Sequence, residues 1–107
     1  MNKVLLAFLI IFTLMQLIQT EQENFPIDEA KVIKAPTEIM TMLETSCFDC
    51  HSNQTNWPWY SKIAPFSWVI SSHVNDGRRA VNYSEWEDYT EKEKLNELEA
   101  TYRTVYA

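Results

Sequence analysis

The sequence predicts an all-α protein. Apolar residues recur at the 3.6-residue helical period in three stretches, which begin after Pro36, Pro65 and Thr90. Two capping-box patterns, Ser84-Glu85-Trp86-Glu87 and Thr90-Glu91-Lys92-Glu93, indicate helix starts near residues 85 and 91. No stretch alternates apolar and polar residues for a length typical of a β-strand. We therefore expect a small helical domain preceded by an N-terminal apolar helix.

Length and charge limit the size of the domain and the kind of partner. The chain has 107 residues and a net charge of −6. Without its apolar first twenty residues it is about 85 residues long, close to the size at which a hydrophobic core alone gives marginal stability. Proteins that bind nucleic acids usually carry a positive face, so the negative charge argues against a nucleic-acid partner.

Residues 1–20 are predicted to be a signal peptide or a membrane anchor. Lys3 precedes a nearly uninterrupted apolar run at residues 4–18. As a helix this run rises about 22 Å, less than the roughly 30 Å of a hydrocarbon core, which favours a cleaved signal peptide. No small-x-small triplet precedes Glu21, which favours an uncleaved anchor. Both alternatives predict that the rest of the chain is exported.

Residues 21–35 are polar and mixed in charge, and they show no helical stripe, so we expect a linker or an extended wrap. Residues 36–107 are predicted to form the folded domain. Pro36 suits the first turn of a helix, and three apolar residues follow at the helical period. They are Ile39, Leu43 and Cys47.

This first helix leads into Cys47-Phe48-Asp49-Cys50-His51, the C-x-x-C-H order of a c-type haem attachment site. Two thiols three residues apart lie on one side of a helical turn, so both can reach the vinyl groups on one porphyrin edge. His51 can then place its imidazole under the iron as the proximal ligand. The motif predicts haem c, with thioether bonds to Cys47 and Cys50.

Three other interpretations of the motif stay open. A thiol oxidoreductase also uses C-x-x-C, but in a βαβ context that this sequence does not show. A structural zinc site needs four ligands, and His73 is the one further histidine that could complete the set. A disulfide between residues three apart closes almost no loop and would constrain little. The haem interpretation explains the residues best.

Residues 52–63 are predicted to be a loop, because they contain Asn53, Asn56 and Pro58. The same loop carries three large aromatic residues that need a surface to cover. They either form a lid against the haem edge or fold over the helices. These residues are Trp57, Trp59 and Tyr60.

A second helix is predicted from Pro65, with Gly77 as its C-terminal cap. His73 falls on its predicted apolar face and is either a core histidine or the distal iron ligand. Arg78 and Arg79 either pair with haem propionates or face water near the helix end. The predicted apolar face consists of Phe66, Val69, Ile70, His73 and Val74.

The last predicted helix begins near residue 91 and has an apolar stripe that we expect to be buried. Seven acidic residues within residues 85–99 are predicted to form a solvated face, or else a docking face for a basic redox partner. The stripe consists of Leu95, Leu98, Tyr102 and Val105.

The chain resembles the bacterial haem-binding domain family of small exported c-type cytochrome-like proteins. The resemblance covers most of residues 36–90 and extends well beyond the pentapeptide. It implies a small cytochrome c-like helical domain around a covalent haem, and it supports an N-terminal anchor. The matching segments are Cys47-Phe48-Asp49-Cys50-His51-Ser52-Asn53, Trp57-Pro58-Trp59-Tyr60, Ile63-Ala64-Pro65 with Trp68, His73-Val74, Gly77-Arg78 and Asn82-Tyr83-Ser84-Glu85-Trp86.

One departure from the family concerns the sixth iron ligand. Such domains typically continue into a segment with a Met-Pro pair, whereas this chain ends at Ala107. Met40 and Met42 lie on the helix that leads into the motif, so we expect both to pack in the core. We therefore expect either a C-terminally truncated member with a partly open pocket, or His73 as the sixth ligand.

The predicted function is electron transfer by covalent haem in the bacterial envelope, without enzymatic activity. The protein is expected on the periplasmic side of the inner membrane, anchored through residues 1–20, or free in the periplasm if the leader is cleaved. Its redox partner is not identified by the sequence. The alternatives are a haem-based sensor or ligand-binding module with an open distal site and, less consistent with the residues, a non-haem thiol oxidoreductase.

Overall fold

A computed structural model describes residues 1–106, and these residues contain helices and no β-strand. The all-α prediction is therefore confirmed. The α-helices are α1 (Lys3–Met15), α2 (Thr37–Ser46), α3 (Phe48–His51), α4 (Phe66–Ala80) and α5 (Glu91–Tyr106). Two 3₁₀ helices, Trp59–Lys62 and Tyr83–Asp88, lie before and after α4.

Helix α1 is apolar, and almost all of its side chains are exposed. Asn2 caps it, because its side-chain oxygen accepts a hydrogen bond from the Val4 amide at 3.0 Å. Among residues 1–106, no helix is both long enough and apolar enough to cross a membrane.

Residues 16–26 follow α1 without helix and lie against the body of the protein as an extended strap. The Gln16 side chain accepts from the Ala64 amide at 2.9 Å and donates to the Ala64 carbonyl at 3.1 Å. The Trp68 indole donates to the Ile18 carbonyl at 3.0 Å. Because these bonds join groups about fifty residues apart, the strap is part of the tertiary structure.

Helix α2 begins directly after Pro36, as the sequence predicts, and ends at Ser46. Cys47 has a φ of −120°, outside helical geometry, and a separate turn, α3, follows it. The His51 amide donates to the Cys47 carbonyl at 2.9 Å, which closes this turn. The C-x-x-C-H motif is therefore one helical turn, set off from α2 by a break at Cys47.

Gly77 lies inside α4, which continues to Ala80, so the prediction that Gly77 caps the helix is wrong. Its φ is not positive. A Cβ atom at this position would lie only 2.3 Å from the carbonyl oxygen of Cys50. The glycine is needed for close approach between α4 and α3, not for a left-handed turn.

The buried face of α4 also differs from the predicted apolar face. Ser67, Ser71 and Val74 are buried, whereas Phe66 and Val69 are each more than half exposed. The serines are buried because small side chains let the strap approach: the Ser71 hydroxyl donates to Thr20 Oγ1 at 2.9 Å. Hydrophobic periodicity alone does not detect a face built in this way.

Arg78 joins α4 to the strap and to the loop after α3. Its guanidinium donates to the carbonyls of Ser52 at 2.7 Å and Glu23 at 2.8 Å, and to Thr55 Oγ1 at 3.0 Å. It also lies over the Phe25 ring, 5.3 Å from the centroid. These contacts engage the guanidinium within the fold, so a role with haem propionates is not supported.

The small core lies between α2, α3 and the second 3₁₀ helix, and Met40 packs against it as predicted. Met42 is 66% exposed, so its predicted core position is wrong. Asn82 caps the start of the second 3₁₀ helix, because its side chain accepts a hydrogen bond from the Ser84 amide at 3.0 Å. The buried core residues are Ile33, Val81, Tyr83 and Trp86.

Helix α5 begins with the predicted capping box, in which the Thr90 amide donates to the Glu93 carboxylate at 2.7 Å. None of the residues of α5 is buried. Its predicted stripe is wrong as a buried face, because all four side chains are between 49% and 68% exposed. Tyr83 reaches α5 through a 2.9 Å hydrogen bond between its hydroxyl and Thr101 Oγ1.

Candidate haem-binding site

His51 is held by two backbone carbonyls at the end of α4. Its Nδ1 lies 2.9 Å from the Gly77 oxygen and 3.1 Å from the Val81 oxygen. Carbonyl oxygens only accept hydrogen bonds, so Nδ1 carries the proton. In the neutral ring, Nε2 then keeps its lone pair, which is the arrangement of a metal-ligating histidine.

The two cysteines lie on the same turn as His51. Both thiols are free, and both side chains are partly buried. Burial raises the pKa of the Cys47 thiol. A redox-active thiol pair usually has a lowered thiol pKa, so this environment does not favour the thiol oxidoreductase interpretation.

Two cavities share Cys47 as a lining residue. The first, of about 210 Å³, is lined by Cys47 and His51 together with Tyr83 and residues of α5. The second, of about 320 Å³, is almost wholly apolar and lies between α2 and α5. Thr101 and Val105 line both cavities. The side chains that line the second cavity are Ile39, Met42, Leu43, Ser46, Cys47, Thr101 and Val105.

Aromatic side chains form the wall behind the motif. The Phe48 ring stacks on Tyr83 at 5.9 Å, and His51 meets Tyr83 edge-on at 6.2 Å. The Trp86 ring also contacts Tyr83, with the two ring centroids 5.9 Å apart. This wall restricts the tilt of the imidazole and gives one end of the site an apolar lining.

Not all of the predicted site residues meet here. Cys47 and His51 line the first cavity, whereas Cys50 lines neither cavity and has its backbone against Gly77. His73 is exposed on α4 and lines neither cavity, so its role as the distal iron ligand stays a prediction that the geometry does not support. Within residues 1–106, no group of three or more His, Cys, Asp and Glu side chains is arranged to hold a metal ion.

The aromatic loop does not cover these cavities either. Trp59 and Tyr60 lie on the first 3₁₀ helix and line neither cavity. The Trp57 indole donates to Asn24 in the strap at 3.2 Å. The prediction of a lid against the haem edge is therefore not supported, and the contact of Trp57 fits the alternative of a loop folded over the body.

In this all-α domain, an imidazole nitrogen with an available lone pair lies on the same helical turn as two free thiols. This combination is typical of haem-binding proteins. Comparison with family models agrees: residues 10–107 match the family described as "Haem-binding domain". The chain therefore belongs to the haem-binding domain family. No curated protein and no solved structure matches it.

The residues present fit a haem group. The Cys47 thiol, the His51 imidazole and an apolar lining occur together at the two cavities, and Cys50 lies on the same helical turn. The flat faces of a porphyrin pack against apolar surface of this kind. Sequence reasoning missed the carbonyls of Gly77 and Val81, because backbone acceptors have no residue signature. The one available signal was that Gly77 is the only glycine in the chain.

Proposed function

We propose that this protein carries a covalently attached c-type haem and transfers electrons in the bacterial envelope. The observation that carries the proposal is the fixed imidazole of His51, with Nδ1 held by the Gly77 and Val81 carbonyls. A histidine with this orientation is prepared to ligate iron through Nε2. Bound haem would supply the one-electron chemistry.

The chain's own contribution is to hold and orient the group. Cys47 and Cys50 would each form a thioether bond, which prevents loss of the group during repeated oxidation and reduction. The two carbonyls strengthen His51 as a donor, because a hydrogen bond from Nδ1–H raises the basicity of Nε2. The apolar residues around Cys47 would lower the local dielectric, a factor that tunes reduction potential.

The envelope location rests on the N-terminal segment. Helix α1 exposes an apolar surface along its whole length, and Lys3 lies at its start. Because positive residues favour the cytoplasmic side, this polarity would direct the body of the protein to the periplasm. We propose attachment to the periplasmic side of the inner membrane and transfer of electrons to a partner protein.

A haem stain tests covalent attachment. The protein is produced with a cytochrome c maturation system, and the band is stained after denaturing electrophoresis. We expect a stained band that disappears in the Cys47→Ala/Cys50→Ala variant. Ser46→Ala, on the residue beside Cys47, is the control and keeps the stain. An unstained wild-type band, or staining that survives loss of both cysteines, would contradict the proposal.

One observation favours a second function, a sensor or ligand-binding module with an open distal site. His73 is exposed and away from the cavities, so the arrangement gives the iron no second histidine. Carbon monoxide added to the reduced protein separates the two functions. A rapid spectral shift favours the sensor, and an unchanged spectrum favours a six-coordinate electron carrier. We expect His73→Ala to leave the spectrum of the unligated protein unchanged.

A further inference from the structure

Trp59, Tyr60 and Phe66 form an exposed aromatic patch that the haem site does not use. Their side chains are 78%, 44% and 56% exposed, respectively. The rings contact one another edge-on, with centroids 5.6 Å apart for Trp59 and Tyr60 and 6.4 Å apart for Tyr60 and Phe66. Clustered exposed aromatics on a small domain indicate a surface that another phase or molecule covers.

The patch is far from the candidate haem site. Phe66 is the first residue of α4, whereas Ala80, at the other end of α4, lines the cavity beside His51. A helix rises about 1.5 Å per residue, so α4 separates the two by roughly 20 Å. A haem at His51 therefore cannot be what covers these rings.

The patch adjoins the place where α1 joins the body. Gln16, the residue after α1, makes two hydrogen bonds with the backbone of Ala64, which precedes Phe66 by two residues. Trp68, on the first turns of α4, donates to the Ile18 carbonyl. The exposed apolar surface of α1 and the aromatic patch consequently lie next to each other, at the same end of the domain.

The segment that carries the patch has little charge of its own. Within residues 57–75, Lys62 is the only Asp, Glu, Lys or Arg residue. Lysine keeps its charged end in the headgroup layer while its stem covers apolar surface. Tryptophan and tyrosine are enriched in this layer because they combine an apolar ring with a polar group.

We propose that the aromatic patch lies in the interfacial layer of the lipid bilayer into which α1 inserts. Since the strap fastens α1 to α4, the domain would have one fixed orientation, with α4 directed away from the lipid and the haem site roughly 20 Å above the interface. The inference rests on the membrane attachment proposed above. It adds a second lipid contact and an orientation, neither of which a flexible tether would give.

Hydroxyl-radical footprinting of the full haem-loaded protein tests the inference. The protein is bound to vesicles of phosphatidylethanolamine and phosphatidylglycerol, and oxidation of each aromatic residue is divided by its value in the denatured chain. Trp59 and Tyr106 are matched, because they are 78% and 75% exposed in the structure. Their normalised oxidation should therefore be similar unless one of them is covered.

We expect oxidation of Trp59 to fall about fivefold below that of Tyr106 on the vesicles, because lipid covers the indole. Equal oxidation of both residues in protein that floats with the vesicles would overturn the inference while leaving the membrane attachment intact. Protein that does not float with the vesicles would overturn both the inference and the membrane attachment. The result of the haem stain would be unaffected. Protection of Trp59 that persists without lipid and grows with protein concentration would identify a second copy of the chain as the occupant, and would also overturn the inference.

Discussion

Helix α4 and helix α5 both border the candidate haem site, and they are held in different ways. On the α4 side, Gly77 allows backbone contact with Cys50, and two carbonyls fix His51. On the α5 side, no residue of the helix is buried, and its four-residue apolar stripe is exposed. Contacts within the polypeptide therefore fix the α4 side of the site closely, whereas they hold the α5 side with few buried contacts.

This difference shows which part of the site the protein prepares in advance. A proximal imidazole would need a fixed direction, and backbone carbonyls in a closely packed helix pair provide one for His51. The α5 side borders both cavities through Thr101 and Val105, and these cavities provide the apolar surface that a bound haem would need. We expect substitutions on the α4 side to cost far more stability than substitutions on α5.

The largest expected effect is that of Gly77→Ala. The added Cβ would lie 2.3 Å from the Cys50 oxygen, so either α3 or α4 must move. We expect a loss of about 3 kcal/mol in the free energy of unfolding, at the upper end for overpacking, because the contact is with backbone. Urea denaturation measures it, with exposed Asn75→Ala as the control. Equal stability of the two variants would show that the close approach is unimportant.

Arg78→Ala is expected to have the next largest effect. Its guanidinium joins the strap and the loop after α3 to α4, and its removal leaves the Ser52 and Glu23 carbonyls without this donor. We expect a loss of about 2–3 kcal/mol. Arg79→Ala is the matched control, since that side chain is exposed and pairs with Asp76 on the surface of the same helix, and we expect a change below about 0.5 kcal/mol. Thermal unfolding of both variants measures the difference.

Thr101→Val tests the looser side. It removes the 2.9 Å hydrogen bond to the Tyr83 hydroxyl and preserves the shape of the side chain. It also removes the bond that the Thr101 hydroxyl donates to the Glu97 carbonyl within α5, at 2.7 Å. We expect a loss of only about 1 kcal/mol, the usual net value of one neutral hydrogen bond. A loss as large as that of Gly77→Ala would mean that α5 is as firmly built as α4, and the comparison would fail.

The same tyrosine predicts a pH dependence. Burial raises the pKa of Tyr83 above its ordinary value of 10.0, so the folded state holds the proton more tightly than the unfolded state does. The resulting stability is fully present below pH 10 and declines as the pH rises from there through the folded-state pKa. Unfolding measured across this range should show the decline, and Tyr83→Phe should reduce it. An unchanged slope in the variant would exclude Tyr83 as its cause.

The sequence predicts the features that depend on interactions within one helical turn, namely the helix starts and the C-x-x-C-H motif. The starts of α2 and α4 follow Pro36 and Pro65, and the Thr90–Glu93 capping box marks the start of α5, since these signals act within one turn. The C-x-x-C-H motif is recognisable in the sequence for the same reason, because its residues occupy a single turn. Fold class and candidate attachment residues therefore came from the sequence alone.

The buried faces could not be predicted, because they depend on contacts between distant segments. Ser67 and Ser71 are buried since the strap packs on them, and periodicity counts serine as polar. The sequence favours Gly77 as a cap, because a lone glycine near a helix end usually is one. Its partner, the Cys50 carbonyl, lies 27 positions away in the sequence, and no local signal indicates it.

The most direct test of the central claim is the mass of the peptide that contains Cys47, Cys50 and His51, released by protease from protein made with a cytochrome c maturation system. If both cysteines form thioether bonds, the peptide carries the added mass of one haem, and neither thiol reacts with an alkylating reagent. A peptide with two alkylated cysteines, or one lighter than the reduced form by two hydrogens, would contradict covalent attachment and support a free or disulfide-forming thiol pair.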